Sequence, residues 1–451
     1  MDTLDHNKTL ESLKGVPVSR IFVAAFITQF AMGMIMLLRI NAATAIKSQF
    51  FDAVDPLTSG AHIGEILGVL FLGFAIANFV MSPFVDALGM RRVHIAGILV
   101  FLAGTALLCV ARPTAESAYA LLWGGSLLQG LAWGALESVL NPLVVSIYPT
   151  RKVAKLNQFH GAFALGVLVA APLCMAVERY DLGWRLQLCT VFLPCMVAVM
   201  MVLRLKYPLS ERVVHGVSFQ QMLKHTLNRP LFYFCLVAMF LTAATELVPS
   251  NWIDLTLTKV VGMQGFWLVA FIYTISFVVR LFAGPLSQRI GSAGLLVFAS
   301  ALALAGLVCL SQATTPTSGL LAALLFGCGT SLMWPTTLAS ASERFPAGGS
   351  FAIGTIASAG MLSTYVMMPI FGKMFDVAKV NAAGGAAAFK SLAAGSAAFD
   401  KSMAVAAMTI FKSASVMPVI TLVFFACLWF ADNRRRQRRT SFPELRGLSR
   451  S

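Results

Sequence analysis

Long apolar runs constrain this chain more than any other feature. Segments 93–111 and 318–332 contain no Asp, Glu, Lys or Arg, and comparable stretches recur from end to end. About 20 apolar residues in α-helix cross a hydrocarbon layer of roughly 30 Å, since each residue rises about 1.5 Å. A membrane β-barrel is excluded, because its strands would alternate apolar and polar positions and these segments do not. Apolar residues make up 58% of the 451 positions and charged ones only 12%, a composition that needs a solvent other than water. The expected fold is an all-α membrane protein with about 12 transmembrane helices. The spans are expected at 20–46, 62–85, 93–111, 118–147, 155–177, 184–204, 231–257, 264–288, 293–311, 318–341, 350–375 and 405–431.

The net charge of +15 would suit a nucleic-acid partner, but its distribution argues against one. The basic residues sit in short loops after alternate spans: Arg91 and Arg92; Arg151, Lys152 and Lys155; the stretch 204–229; and the run from Arg434 to Arg439. Loops rich in Lys and Arg stay on the cytoplasmic side, so both termini are expected there and the number of spans is even. Anionic lipid is the expected partner of the basic tail. The expected location is the cell inner (plasma) membrane, and no cleaved signal peptide is expected, because the first twenty residues are polar and Arg20 runs straight into the long first span. All eight cysteines fall inside expected spans and read as small packing residues, with no disulfide framework or metal spacing.

The segment 206–230 is the expected linker between two bundles, 20–205 and 231–431, with tails at 1–19 and 432–451. The bundles resemble each other. Pro83 and Gly89 pair with Pro285 and Gly291 at an offset of 202, and Pro149 and Pro172 pair with Pro346 and Pro369 at an offset of 197. Two matches in the same order argue for a duplicated six-helix unit, with a site at the interface between the copies. The stretch 377–403, rich in Ala, Gly and Ser, is expected as a loose or surface-lying helix.

Two carboxylates lie deep in spans, Glu137 and Glu246. An ionised acid near mid-membrane costs roughly 2.5–3.5 kcal/mol even on permissive scales, so each should face a cavity or a partner. Because burial disfavours the charged form, such an acid can take up a proton and release it when water reaches it. The alternative for Glu137 is a static acid bonded to Asn141 or a helix carbonyl. Arg39 is the base deep in the first span and either neutralises an acid or holds a substrate anion. Arg280 lies four residues before Gly284 and reads mainly as a structural arginine near a helix end. His160 either binds a solute hydroxyl or is satisfied within its own helix. Asn157 and Gln158 sit nearer the helix end. Among Trp133, Trp252, Trp334 and Tyr365, only Trp252 and Trp334 are expected to line a cavity. Pro142, Pro249, Pro335 and Pro369 interrupt spans that should line the centre, as bending points or as static kinks.

Asp86-x-x-Gly89-x-Arg91-Arg92 resembles the signature loop of the major facilitator superfamily, with Ser82 where that family usually has glycine. Gly89 permits the tight turn, and Asp86 can cap the next helix or pair with an arginine. The resemblance implies two pseudo-symmetric six-helix bundles and a gating role for Asp86, Gly89, Arg91, Arg92, Gly284 and Gly291. More narrowly, 133–142, 156–161, Ala244-Thr245-Glu246 with Trp252, and 326–336 resemble the fucose:proton symporter family. That implies proton coupling through the span-four acid Glu137, with Glu246 at the family's span-seven acid; Glu137 and Glu246 are the proton-coupling candidates, and Asn141, His160, Arg39, Asn41, Asn251, Trp252 and Trp334 are the candidates to surround the solute. The family's span-one acid has no counterpart here; Asn41 stands nearby instead.

The leading expectation is therefore a secondary active transporter, a proton-coupled symporter of a small polar solute such as a monosaccharide. A small-molecule solute, protons and the lipid bilayer are its expected partners, and a monomer its expected state. Transport of organic anions through Arg39, Arg280 and His160 competes with it. Drug efflux fits less well, and a non-transporting sensor would need a larger soluble domain. No enzyme activity, cofactor or metal is expected, as no phosphate loop, metal cluster or nucleophile elbow occurs.

Overall fold

A computed structural model describes residues 6–52, 59–113, 116–261, 265–393 and 395–441. These residues are almost entirely helical, with no strand among them. The first half contains α1 (Val18–Lys47), α2 (Ser59–Met81), α3 (Met90–Val110), α4 (Ala118–Ile147), α5 (Lys152–Arg179), α6 (Gly183–Cys189) and α7 (Phe192–Leu203). The last two together make the sixth crossing, Gly183–Leu203. The second half contains α8 (Pro230–Val261), α9 (Gly265–Leu310), α10 (Pro316–Arg344), α11 (Gly349–Ala382), α12 (Ala397–Ala414) and α13 (Val416–Ser441).

Eleven described segments are long and apolar enough to cross a membrane. One of them, Trp267–Leu310, is two crossings joined through Gly291, so the described residues make twelve. Gly291 adopts φ 76° and its repeat partner Gly89 adopts φ 86°, a region that side chains with a Cβ avoid. The same backbone device thus reverses the chain after the second crossing of each half, as duplication of the unit requires. Pro142, Pro249, Pro335 and Pro369 all lie inside helices, α4, α8, α10 and α11 respectively.

The last crossing starts earlier than the sequence suggests. α11 runs on to Ala382, and only Ala386–Ser391 forms a short helix without buried residues. α12 begins at Ala397 because the Ser396 hydroxyl accepts the Phe399 N–H at 3.2 Å, an N-cap that spacing alone did not reveal.

Within the halves, glycines let helix backbones touch. A Cβ at Gly134 of α4 would lie 2.3 Å from the Phe74 carbonyl oxygen of α2, and one at Gly166 of α5 would lie 2.1 Å from that of Phe30 on α1. Lipid offers helices no hydrophobic drive to associate, so such close backbone approach supplies much of the packing. Gly134→Ala is expected to force α2 and α4 apart at a cost of about 1–3 kcal/mol. A thermal-unfolding midpoint equal to that of the parent protein would contradict this packing.

Candidate functional site

Trp133, Glu137 and Asn141 recur at four-residue spacing and so share one face of α4. Glu137 is buried, with 3% of its surface exposed. Its carboxylate accepts the Trp133 Nε1–H at 3.4 Å and the amide of Asn141. Asn141 Oδ1 meets His160 Nε2 at 2.9 Å, and His160 Nδ1 meets Gln29 Nε2 at 3.4 Å. Since an amide oxygen only accepts, His160 carries its hydrogen on Nε2, and every donor from Gln29 through His160 and Asn141 points toward Glu137. Gln29 Oε1 is buried without a hydrogen-bond partner among the described residues.

The network continues into the second half. Arg280 on α9 donates Nη1–H to the His160 carbonyl at 2.8 Å and Nε–H to the Ser331 carbonyl at 2.8 Å, and Nη2 pairs with Glu246 on α8 at 3.3 Å. One guanidinium thus ties α5, α8 and α10 to α9. Its planar fork suits three acceptors in different directions, which a lysine could not satisfy with the same geometry. Glu246 Oε2 is buried with no partner among the described residues. An aromatic row crosses the same seam: Trp133 stacks on Phe163 at 5.8 Å, and Phe163 meets Tyr273 of α9 at 6.4 Å.

The remaining sequence-predicted residues fall into three groups. Trp334 on α10 is buried, and a Cβ at Gly360 of α11 would lie 2.5 Å from its ring. Arg39 and Asn41 lie away from the network. Arg39 pairs with neither Glu137 nor Glu246; it donates to Gln129 Oε1, the Ile66 carbonyl at 3.0 Å and Ser126 Oγ at 3.1 Å. Gln129 is two turns from Glu137 along α4, roughly 12 Å. Asn41 donates to Glu178 Oε1 at 2.7 Å, where α5 nears its end. The side chains of Asn251 and Trp252 lie outside the described residues.

The expected gate residues cluster at the other end of α2. Asp86 pairs with Arg212 at 2.5 Å, and these side chains are only 7% and 9% exposed. Lys152 pairs with Glu211 at 2.9 Å beside them. Both partners, Arg212 and Glu211, belong to the linker helix Glu211–Val214. Arg91 donates to the Val202 carbonyl at 3.1 Å and to that of Leu203, and Arg92 is exposed. Tyr207 meets the buried His94 Nδ1 at 2.7 Å, and burial pushes the Tyr207 phenol upward, so it stays a donor.

The two halves touch on this Asp86 face. Ser350 Oγ donates to the Ser82 carbonyl at 2.7 Å, and Asn157 Nδ2 donates to Thr336 Oγ1 at 3.1 Å. A Cβ on Gly284 would lie 2.8 Å from Ala154 Cβ, and one on Gly354 would overlap Ser82 Oγ. Toward the opposite face, α1, α5 and α9 leave a gap of about 10 Å³ lined by Leu37, Val167, Leu168, Ala171, Val269 and Ala270.

Sequence reasoning missed Gln29, Arg212 and Tyr273, and ranked Arg280 as structural. The usable signal was a buried cation and a buried acid in neighbouring spans, which ought to pair.

Comparison with known proteins agrees with this architecture. The E. coli fucose:proton symporter is similar at 16% identity and TM-score 0.62, over 89% of this chain and 98% of that one. The proton:xylose symporter bound to 6-bromo-6-deoxy-D-glucose is similar at 13% identity and TM-score 0.69, over 90% and 94%. The human organic anion transporter MFSD10 is similar at 13% identity and TM-score 0.66, over 91% and 99%. At these identities the likeness establishes the fold alone. The sequence profile of the Major Facilitator Superfamily matches residues 21–366, and the chain belongs to that family as a multi-pass membrane transporter.

Proposed function

We propose that the protein is a proton-coupled symporter of a small polar solute, most simply a monosaccharide. The observation that carries this reading is the polar chain from Glu137 through Asn141 and His160 to Arg280 and Glu246, which crosses the seam between halves. Charged groups are costly at this depth and here converge where alternating access needs a site. Glu137 carries the proton. Protonation at Glu246 loosens its pairing with Arg280, and the solute's hydroxyls meet Asn141, His160 and Gln29. Bundles 20–205 and 231–431 rock about this site, linked by 206–230. The protein sits in the cell inner membrane as a monomer with both termini cytoplasmic, in keeping with the basic loops.

The test is uptake into proteoliposomes under an imposed inward proton gradient, with a panel of monosaccharides and carboxylates. Accumulation of a sugar above its external concentration, abolished by a protonophore, is the expected result. Accumulation of a carboxylate instead would select the organic-anion reading, which Arg280 favours because Glu246 protonation frees its guanidinium. Uptake of neither class would overturn the proposal.

A further inference from the structure

Away from the network, one pair of side chains has chemistry that transport does not use. Cys109 near the end of α3 and Cys189 at the end of α6 face each other with their sulfurs 3.7 Å apart. Both residues are half-buried. Arg185 holds the two helices in register, donating Nε–H to the Cys109 carbonyl at 3.0 Å and Nη2–H to the Ala111 carbonyl at 2.7 Å. The same guanidinium lies 4.4 Å over the Trp184 ring, which fixes its direction. The other six cysteines, Cys174, Cys195, Cys235, Cys309, Cys328 and Cys427, make no sulfur–sulfur contact among the described residues.

Position matters as much as distance. The pair lies at the end of the first half opposite the Asp86 loop, beside Arg112 and close to the turn at 180–182. The basic loops mark the Asp86 face as cytoplasmic, so this end faces outward, where thiols are readily oxidised.

We propose that Cys109 and Cys189 are a redox pair that closes to a disulfide on the outer side of the membrane and fastens α3 to α6. A disulfide bond is about 2.05 Å long, so each sulfur travels less than about 1 Å to close the gap. The oxidant is itself a disulfide. One cysteine thiolate opens it to a mixed disulfide, and the other thiolate displaces the second half of the oxidant. Two electrons and two protons pass from the pair to the oxidant, which leaves as two thiols. Because both cysteines belong to the same half, the bond leaves the halves free to move against each other. It closes a loop between positions 80 apart, and so restricts the unfolded chain.

The experiment treats the purified full chain with oxidised glutathione, alkylates the remaining thiols and maps peptides without reduction. A Cys109–Cys189 cross-linked peptide that a dithiol reductant removes is expected. The oxidised protein should also melt several degrees above the reduced one, a difference absent in Cys109→Ser. Alkylation of both sulfurs after oxidant, or a bond from either to another cysteine, overturns the pairing. A cross-link without any melting shift overturns the fastening role. Neither readout involves transport, so failure here is separable from failure of the symport reading.

Discussion

Arg280→Met should abolish transport and destabilise the protein by about 3–5 kcal/mol, because it leaves Glu246 in a low-dielectric site without its counter-charge. Two backbone carbonyls, of His160 and Ser331, lose their donor at the same time. The seam between α5 and α9 runs through those bonds. The thermal midpoint is expected to fall by on the order of 5 °C. Replacing both charges in Arg280→Met with Glu246→Leu should recover much of that loss, since removing a buried pair entirely is often nearly neutral. Transport should stay absent in the double variant. Recovered stability with no transport separates a functional role from a merely architectural one; wild-type uptake by Arg280→Met would remove Arg280 from the site.

The second large effect is expected at the linker. Arg212 and Asp86 form a buried pair at 2.5 Å, and Arg212 also donates to the Val217 carbonyl at 2.6 Å. A Cβ on Gly349 of the second half would touch Arg212 Cβ at 3.2 Å, so the linker arginine is wedged between the halves. Arg212→Gln removes the charge that holds Asp86 and should favour the state with the Asp86 face open. Ser350 reports this directly, as it is 1% exposed and its hydroxyl reaches across to Ser82. With Ser350→Cys in a background lacking the native cysteines, Arg212→Gln should raise the alkylation rate roughly tenfold or more, the equivalent of about 1.4 kcal/mol. Asp86→Asn should act in the same direction. Unchanged labelling in both would mean that the pair does not hold this face shut.

Helix number, the two halves and the reversal after each second crossing could be read from sequence because they rest on local chemistry. Apolar length defines a span, and Gly89 and Gly291 mark the two backbone reversals at a fixed offset. Partners across the seam could not be read this way. Arg280 looked like a helix-end arginine because its acceptors, the His160 and Ser331 carbonyls, are 120 and 51 positions away and carry no side-chain signature. Arg212 was hidden among the linker's basic residues, whose charge already had an explanation in membrane orientation. Depth separates Arg39 and Asn41 from the network. Gln29 joins the network, and Arg39 lies ten residues further along the same helix, roughly 15 Å away. There, among the described residues, its charge is met by neutral oxygens of Gln129, Ser126 and Ile66 rather than by an acid.

The Glu137 carboxylate, which ends a chain of donors starting at Gln29, is where solute and proton movements would be joined. Glu137→Gln keeps the shape and the Trp133 bond but cannot gain or lose a proton. The decisive measurement compares solute counterflow with gradient-driven accumulation in proteoliposomes carrying this variant. Counterflow near the parent rate with no accumulation under a proton gradient is expected. Accumulation equal to that of the parent protein would contradict the proposal that the proton travels on Glu137.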